Sequence, residues 1–191
     1  MKIYIIGAGG IGSYLAGHIN KLLNCNQLDD CNFTFFDDDV VETKNILYQN
    51  FEPSDVEDKK IEALMFKYPM IQGYKDMRVI EVNTLSNLDL LVLCADNNKI
   101  RKLAYEAYNK LGTKFIDARS NGKTCGLFSS DTDNYMNTIS DDDSAQSCQY
   151  PYQLAKKEIE FGNVIIAAIT AQSILEFKRS GKLPNDFIHS F

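Results

Sequence analysis

The run Gly7-Ala8-Gly9-Gly10-Ile11-Gly12 stands between a short apolar segment, 2–6, and an amphipathic one, 11–23. Glycines spaced G-x-G-x-x-G between a strand and a helix have separate jobs. Gly7 makes the tight turn, Gly9 lets backbone approach a phosphate, and Gly12 lets helix pack on strand. A phosphate then sits at the helix N-terminus, where free N–H groups and the dipole favour an anion. The chemistry indicated is nucleotide binding. Asp37 opens an Asp37-Asp38-Asp39 run at the end of the next apolar segment. That is the separation at which a carboxylate takes ribose hydroxyls in this architecture. The glycines and Asp37 serve a dinucleotide oxidoreductase and an ATP user equally.

These residues need a scaffold, and strand and helix signals alternate along the chain. Strands are expected over 2–6, 32–36, 79–82, 88–94, 114–116 and 124–129. Helices are expected over 11–23, 56–68 and 97–111, with a long C-terminal helix over 155–180 ended by Gly181 and Pro184. Segment 40–54 has no clear period. The run LDLLVLC at 88–94 is almost wholly apolar, as for a parallel strand covered on both faces. The expected fold is α/β, a Rossmann-like, mostly parallel, doubly wound sheet with helices on both faces. It is read as one domain: a nucleotide-binding core over 1–129, an acidic loop over 130–149, and the C-terminal helix and tail over 150–191. Ligands of such sheets bind beyond the C-terminal strand ends. That rule singles out the glycine turn, Asp37 to Asp39, Asp96-Asn97 and residues 117–121. The final helix is apolar around much of its circumference, so it is buried on its own sheet or across a dimer.

Composition narrows the function classes. The net charge of −6 supplies no basic face for general nucleic-acid binding. There is no apolar run of transmembrane length, and the N-terminus is a poor signal peptide, so a soluble cytoplasmic protein is expected. The five cysteines are odd in number and contain no C-x-x-C pair, so neither a disulfide framework nor structural zinc is expected. His18 and His189 form no recognisable hydrolase constellation.

Four motifs in order, GAGGIG, FFDDDVVETKNILYQ, VEDKKIEA and LCADNNKIR, resemble the ThiF/MoeB/HesA family, relatives of the ubiquitin-activating enzymes. The resemblance runs from residue 1 to about 129. The family stretch after the second strand reads roughly D-x-D-x-V-x-x-x-N-x-x-R-Q, and Asp37, Asp39, Val41, Asn45 and Gln49 match it. The resemblance implies ATP, with Gly10 and Asn45 near the phosphates, Asp37 on the ribose and Lys60 on the triphosphate. It implies that Asp96 serves Mg²⁺ and the reacting centre with Asn97 beside it, and that Arg101 belongs to the same catalytic set. The implied reaction is adenylation of the C-terminal carboxylate of a small ubiquitin-like or sulfur-carrier protein, by a homodimer. A carboxylate attacks the α-phosphorus and pyrophosphate leaves, so cationic groups must neutralise charge building on phosphoryl oxygens.

Two positions depart from the pattern. Tyr48 stands where the family usually has a triphosphate-binding arginine, and the chain opens directly on its first strand, without the N-terminal helix whose arginine reaches a partner's site in many relatives. Arg101 and Arg119 are the candidates to supply the missing charge. Cys148, in the acidic stretch before the last helix, is a possible thioester acceptor. A non-catalytic nucleotide-binding subunit and an NAD-dependent oxidoreductase are the alternatives. The latter leaves Asn45, Lys60 and Asp96 unexplained.

Overall fold

The first strand, β1 (Lys2–Ile6), pairs in parallel with two neighbours at once. Ile6 lies opposite Phe36 of β2 (Asn32–Asp37) and opposite Leu93 of β4 (Leu90–Leu93). The strand order is β3-β2-β1-β4-β5-β6-β7, where β3 is Gly73–Asp76, β5 Phe115–Ser120, β6 Thr124–Ser129 and β7 Phe187–Ser190. Connections run one way from β1 to β2 and the other way to β4, so the switch point where open α/β sheets bind ligands lies at the ends of these three strands. The computed structural model describes residues 1–79, 81–140, 149, 151–156 and 158–191.

Alternating side chains build two cores. Ile3, Ile5, Leu90, Val92, Ile116 and Ala118 pack on one face, beneath α1 (Gly12–Asn24), α2 (Lys60–Lys67) and α5 (Gly162–Ser180). Leu91, Leu93 and Phe115 point the other way, against α3 (Asn98–Leu111) and the buried Tyr135. The sheet is therefore wound on both sides, as expected. α5 buries Ile166, Ala167, Ile174 and Leu175 on α1, β5 and β6 of its own chain.

The structure corrects several expected boundaries. The third strand is Gly73–Asp76, not 79–82: a short edge strand with one apolar contact, Tyr74 stacked on Phe35, shows no alternating pattern, and Val79 is buried within a loop. Gly73 is needed there, because a Cβ would stand 2.3 Å from the Phe33 carbonyl oxygen. Val82–Leu85 forms a 3-10 turn. The second helix begins at Lys60, since Val41 and Asp39 bond backbone groups of Glu57, Asp58 and Lys60. The long C-terminal helix is two, α4 (Pro151–Lys156) and α5. At Gly162 a side chain would meet the Gly122 carbonyl oxygen at 2.5 Å, so α5 starts where backbone must pass close to the β5–β6 turn. β5 continues through Asp117 to Ser120, so these residues lie within a strand and not after it. Strand β7 was not expected; its sequence FIHS is short, mostly exposed and antiparallel to β6. Residues 130–140 are not a plain loop: Tyr135–Thr138 is a 3-10 turn with Tyr135 fully buried.

Candidate functional site

At the switch point the register places Gly7, Asp37 and Cys94 side by side. Gly7 donates to the Phe36 carbonyl (2.8 Å), and Cys94 donates to the Ile6 carbonyl (2.8 Å). The turn is built only for glycine at two positions. Gly7 has φ +99° and a Cβ there would stand 2.8 Å from the Cys94 carbonyl, while a Cβ on Gly12 would overlap the Gly7 oxygen at 1.9 Å. Gly9 is different: its added Cβ would meet nothing nearer than the Gln49 amide at 3.8 Å, so its openness faces the cavity. α1 has no side-chain N-cap. The Ser13 N–H is taken by the Gly9 carbonyl (3.0 Å), and the positive end of the helix dipole is left to favour an anion.

A cavity of about 750 Å³ opens over this turn. Gly7, Gly9, Gly10, Asp37, Asp39, Asn45, Tyr48, Gln49, Lys60, Asp96 and Asn97 all line it, so the structure brings together residues spread over 90 positions of sequence. Its far wall is apolar, with Phe36, Val79, Ile100 and Leu103. That volume and mixture suit a nucleotide, with an apolar slot for a base and a polar end for phosphates.

Asp37 is fixed by donors on both oxygens. Oδ2 accepts from the Ala8 N–H (2.6 Å) and Oδ1 from the Asp39 N–H (2.9 Å). Burial raises its pKa above the ordinary carboxylate value, against the pull of Lys60 and the two N–H groups. Lys60 is itself buried, with Nζ 2.8 Å from Asp39 Oδ2 and 4.0 Å from Asp37 Oδ1. Burial acts to lower its pKa, but these carboxylates prevail and hold it raised. Asn45 caps its own turn: Oδ1 accepts from the Glu42 N–H (2.8 Å), within the 3-10 turn Thr43–Leu47. Gln49 is buried, and its Oε1 has no hydrogen-bond partner among the described residues.

Asp96 and Asn97 divide two tasks. Asn97 is the N-cap of α3, its Oδ1 accepting from the Ile100 N–H at 3.1 Å, which leaves Asp96 exposed at the cavity mouth. Among the described residues no hydrogen bond or ion pair holds the Asp96 carboxylate. Arg101, expected with the catalytic residues, sits beneath this turn and not in the first cavity. Its guanidinium donates to Asp117 (3.3 Å), Asn98 (2.9 Å) and the Ala95 carbonyl (3.0 Å). Arg119 is committed likewise, to Asp117 at 2.6 Å and the Thr138 carbonyl at 2.7 Å. Asp117 is fully buried and also accepts from the Tyr135 hydroxyl (2.8 Å). Both arginines line a second cavity of about 470 Å³. It meets the first at Cys94, Ala95 and Asp96.

A profile of the ThiF family matches residues 1–186. The chain belongs to the ThiF family. Comparison with curated proteins found no match. Among solved structures, the chain is similar to PaaA (15% identity, TM-score 0.69), covering 100% of this chain and 60% of that one. It is also similar to the microcin C7 biosynthetic enzyme MccB in complex with N-formylated MccA (17% identity, TM-score 0.71, covering 100% and 64%). A third is E. coli MccB with ATP (17% identity, TM-score 0.67, covering 100% and 63%). The chain spans less than two thirds of the length of these ThiF-fold relatives.

Sequence reasoning missed Arg78, Lys44 and Lys99 in the cavity wall, and Asn163 behind it. Arg78 follows an edge strand with no apolar pattern, and Asn163 is the second residue of α5, ahead of its apolar run. Cys148 lies outside the described residues. Among the described residues there is no group of three or more potential metal ligands, and no helix is long and apolar enough to cross a membrane.

Proposed function

We propose that this ThiF-family protein is an ATP-dependent adenylyltransferase that activates the C-terminal carboxylate of a small ubiquitin-like or sulfur-carrier protein or peptide. The observation that carries the reading is the junction of the two cavities at Ala95 and Asp96. A nucleotide seated with its phosphates on the glycine turn presents its α-phosphate to that junction. A chain entering through the second cavity brings its carboxylate to the same place. Arg101 and Arg119 are spent on Asp117, so the second cavity offers no free arginine to trap a carboxylate before the junction.

The carboxylate oxygen forms a bond to the α-phosphorus, the bond from that phosphorus to the pyrophosphate oxygen breaks, and acyl adenylate and pyrophosphate result. Lys60, held near Asp37 and Asp39, supplies charge against the phosphoryl oxygens. Asp96 fits a magnesium ion brought with the nucleotide, because this ion takes one or two carboxylates beside substrate phosphates and needs no cage of protein ligands. Bound there, the ion neutralises charge on the phosphates. Structures of MccB hold ATP in one case and N-formylated MccA in another. A homodimer in the cytoplasm belongs to the same reading.

Pyrophosphate–ATP exchange with a candidate carrier tests it. Exchange that falls about 10²–10³-fold in Asp96→Ala, with the folded state intact, is expected. No exchange by the wild-type chain with any carrier ending in a free carboxylate would favour a nucleotide-binding subunit without catalysis, a reading to which the uncharged Tyr48 lends itself.

A further inference from the structure

Four cations line the nucleotide cavity: Lys44, Lys60, Arg78 and Lys99. Three are paired with carboxylates: Lys44 with Glu42, and Lys60 and Arg78 with the Asp38-Asp39 run. Lys60 holds Asp39 at 2.8 Å, and Arg78 Nε holds Asp38 at 2.7 Å. Lys99 stands on the first turn of α3, three residues after Asp96 and beside Ile100.

Lys44 is placed otherwise. It lies on the 3-10 turn that puts Asn45 into the cavity, followed at the C-cap by Tyr48 and then by Gln49, whose amide faces Gly9. It is therefore on the wall that adjoins the glycine turn, at the phosphate end. Its ion pair is with Glu42, and the two side chains are 58% and 54% exposed. Such a pair contributes little and is readily exchanged. Glu42 holds the Lys44 ammonium above the ordinary lysine range, and Lys44 and Lys60 line the same cavity. Tyr48 is buried and uncharged, which leaves Lys44 and Lys60 to face a triphosphate beside the glycine backbone.

We infer that Lys44 is a phosphate-binding residue of this cavity, leaving Glu42 to pair with the terminal phosphates of the nucleotide. The inference rests on the adenylation reading for its ligand. It separates Lys44 from Lys99 by position, and it makes Glu42 an internal competitor that occupies the lysine until ligand arrives.

Isothermal titration of the full chain with ATP and with AMP, both with magnesium, tests it. Lys44→Ala is expected to weaken ATP about tenfold, as for loss of one charge-assisted contact, and to change AMP less than about twofold. Lys44→Arg keeps ATP affinity, and Glu42→Gln tightens it by freeing the lysine, a gain that no folding defect can mimic. ATP binding by the wild type that is unchanged in Lys44→Ala, or lost in Lys99→Ala instead, overturns the inference and leaves the adenylation reading standing. A wild-type chain that binds neither nucleotide overturns both.

Discussion

The side-chain amide of Asn163 donates a 2.7 Å hydrogen bond to the carbonyl of Tyr48, 115 residues away in sequence. Its second hydrogen goes to the carbonyl of Gly10 at 3.0 Å. One buried side chain at the start of α5 thus ties the glycine turn to the 3-10 turn that borders the phosphate end. Asn163→Ala leaves two buried carbonyls without a partner and is expected to lower stability by about 1–3 kcal/mol. Asn163→Asp is nearly isosteric but sets an anionic oxygen against two carbonyl oxygens, and should lower it more. Urea unfolding of both variants, with and without ATP, checks the order; an aspartate variant as stable as wild type would contradict it.

Much of this site was legible in the sequence because backbone geometry demanded it. Gly7 and Gly12 are required by a turn with no room for a Cβ, and Asp37 by the register that sets β2 beside β1. Asp96 was marked by its place beyond a strand end, whereas Lys60 was readable only through a family resemblance, since a helix lysine carries no signal of its own. The clamp and the arginine cluster were not legible. Asn163 stands just ahead of the apolar run of α5 as one more polar residue after Gly162, and Asp117 reads as a post-strand ligand although it is a buried counter-ion inside β5. Edge strands β3 and β7 escaped because they are short and show no alternating apolar pattern.

Gly9 and Gly12 are expected to part company under the same substitution. Gly12→Ala drives a Cβ to 1.9 Å from the Gly7 oxygen, so the helix must leave the strand and stability falls by several kcal/mol, about the range of overpacking or beyond. Gly9→Ala meets nothing closer than 3.8 Å, and the free protein keeps its melting temperature. The methyl group instead occupies space where a phosphate approaches, so ATP affinity falls. Thermal melts paired with titration separate the two; a Gly9→Ala chain that binds ATP as wild type would place the phosphates elsewhere.

Asp117 is the counter-ion of two arginines and one tyrosine, with burial raising the Tyr135 pKa. Asp117→Ala strands two guanidinium groups and is expected to destabilise by about 3–5 kcal/mol. Arg101→Lys keeps a charge but loses the fork that reaches the Ala95 carbonyl and Asn98 together. It should lower exchange activity through a misplaced Asp96 turn while ATP affinity changes little. If exchange and affinity fall in parallel, Arg101 acts on nucleotide binding and not on that turn.

Asp37 gives a pH test with an unusual sign. Burial raises its folded pKa above the ordinary 3.8, so the folded chain binds this proton more tightly than the unfolded chain does. Through linkage, that group favours the folded state as pH falls toward the ordinary value, and the favour is lost as pH rises through the folded pKa. Most paired carboxylates act in the opposite direction. Asp37→Asn removes this one contribution while keeping an acceptor for the Ala8 N–H. The stability difference, wild type minus variant, is therefore expected to grow in favour of wild type between pH 7 and pH 4.5, measured by urea unfolding at each pH. Lys60 does not disturb the comparison: its pKa is raised above 10.5, so it stays charged throughout that window. A difference that shrinks on acidification would mean that Lys60 and the two N–H donors outweigh burial, and that Asp37 is held as a stabilised anion.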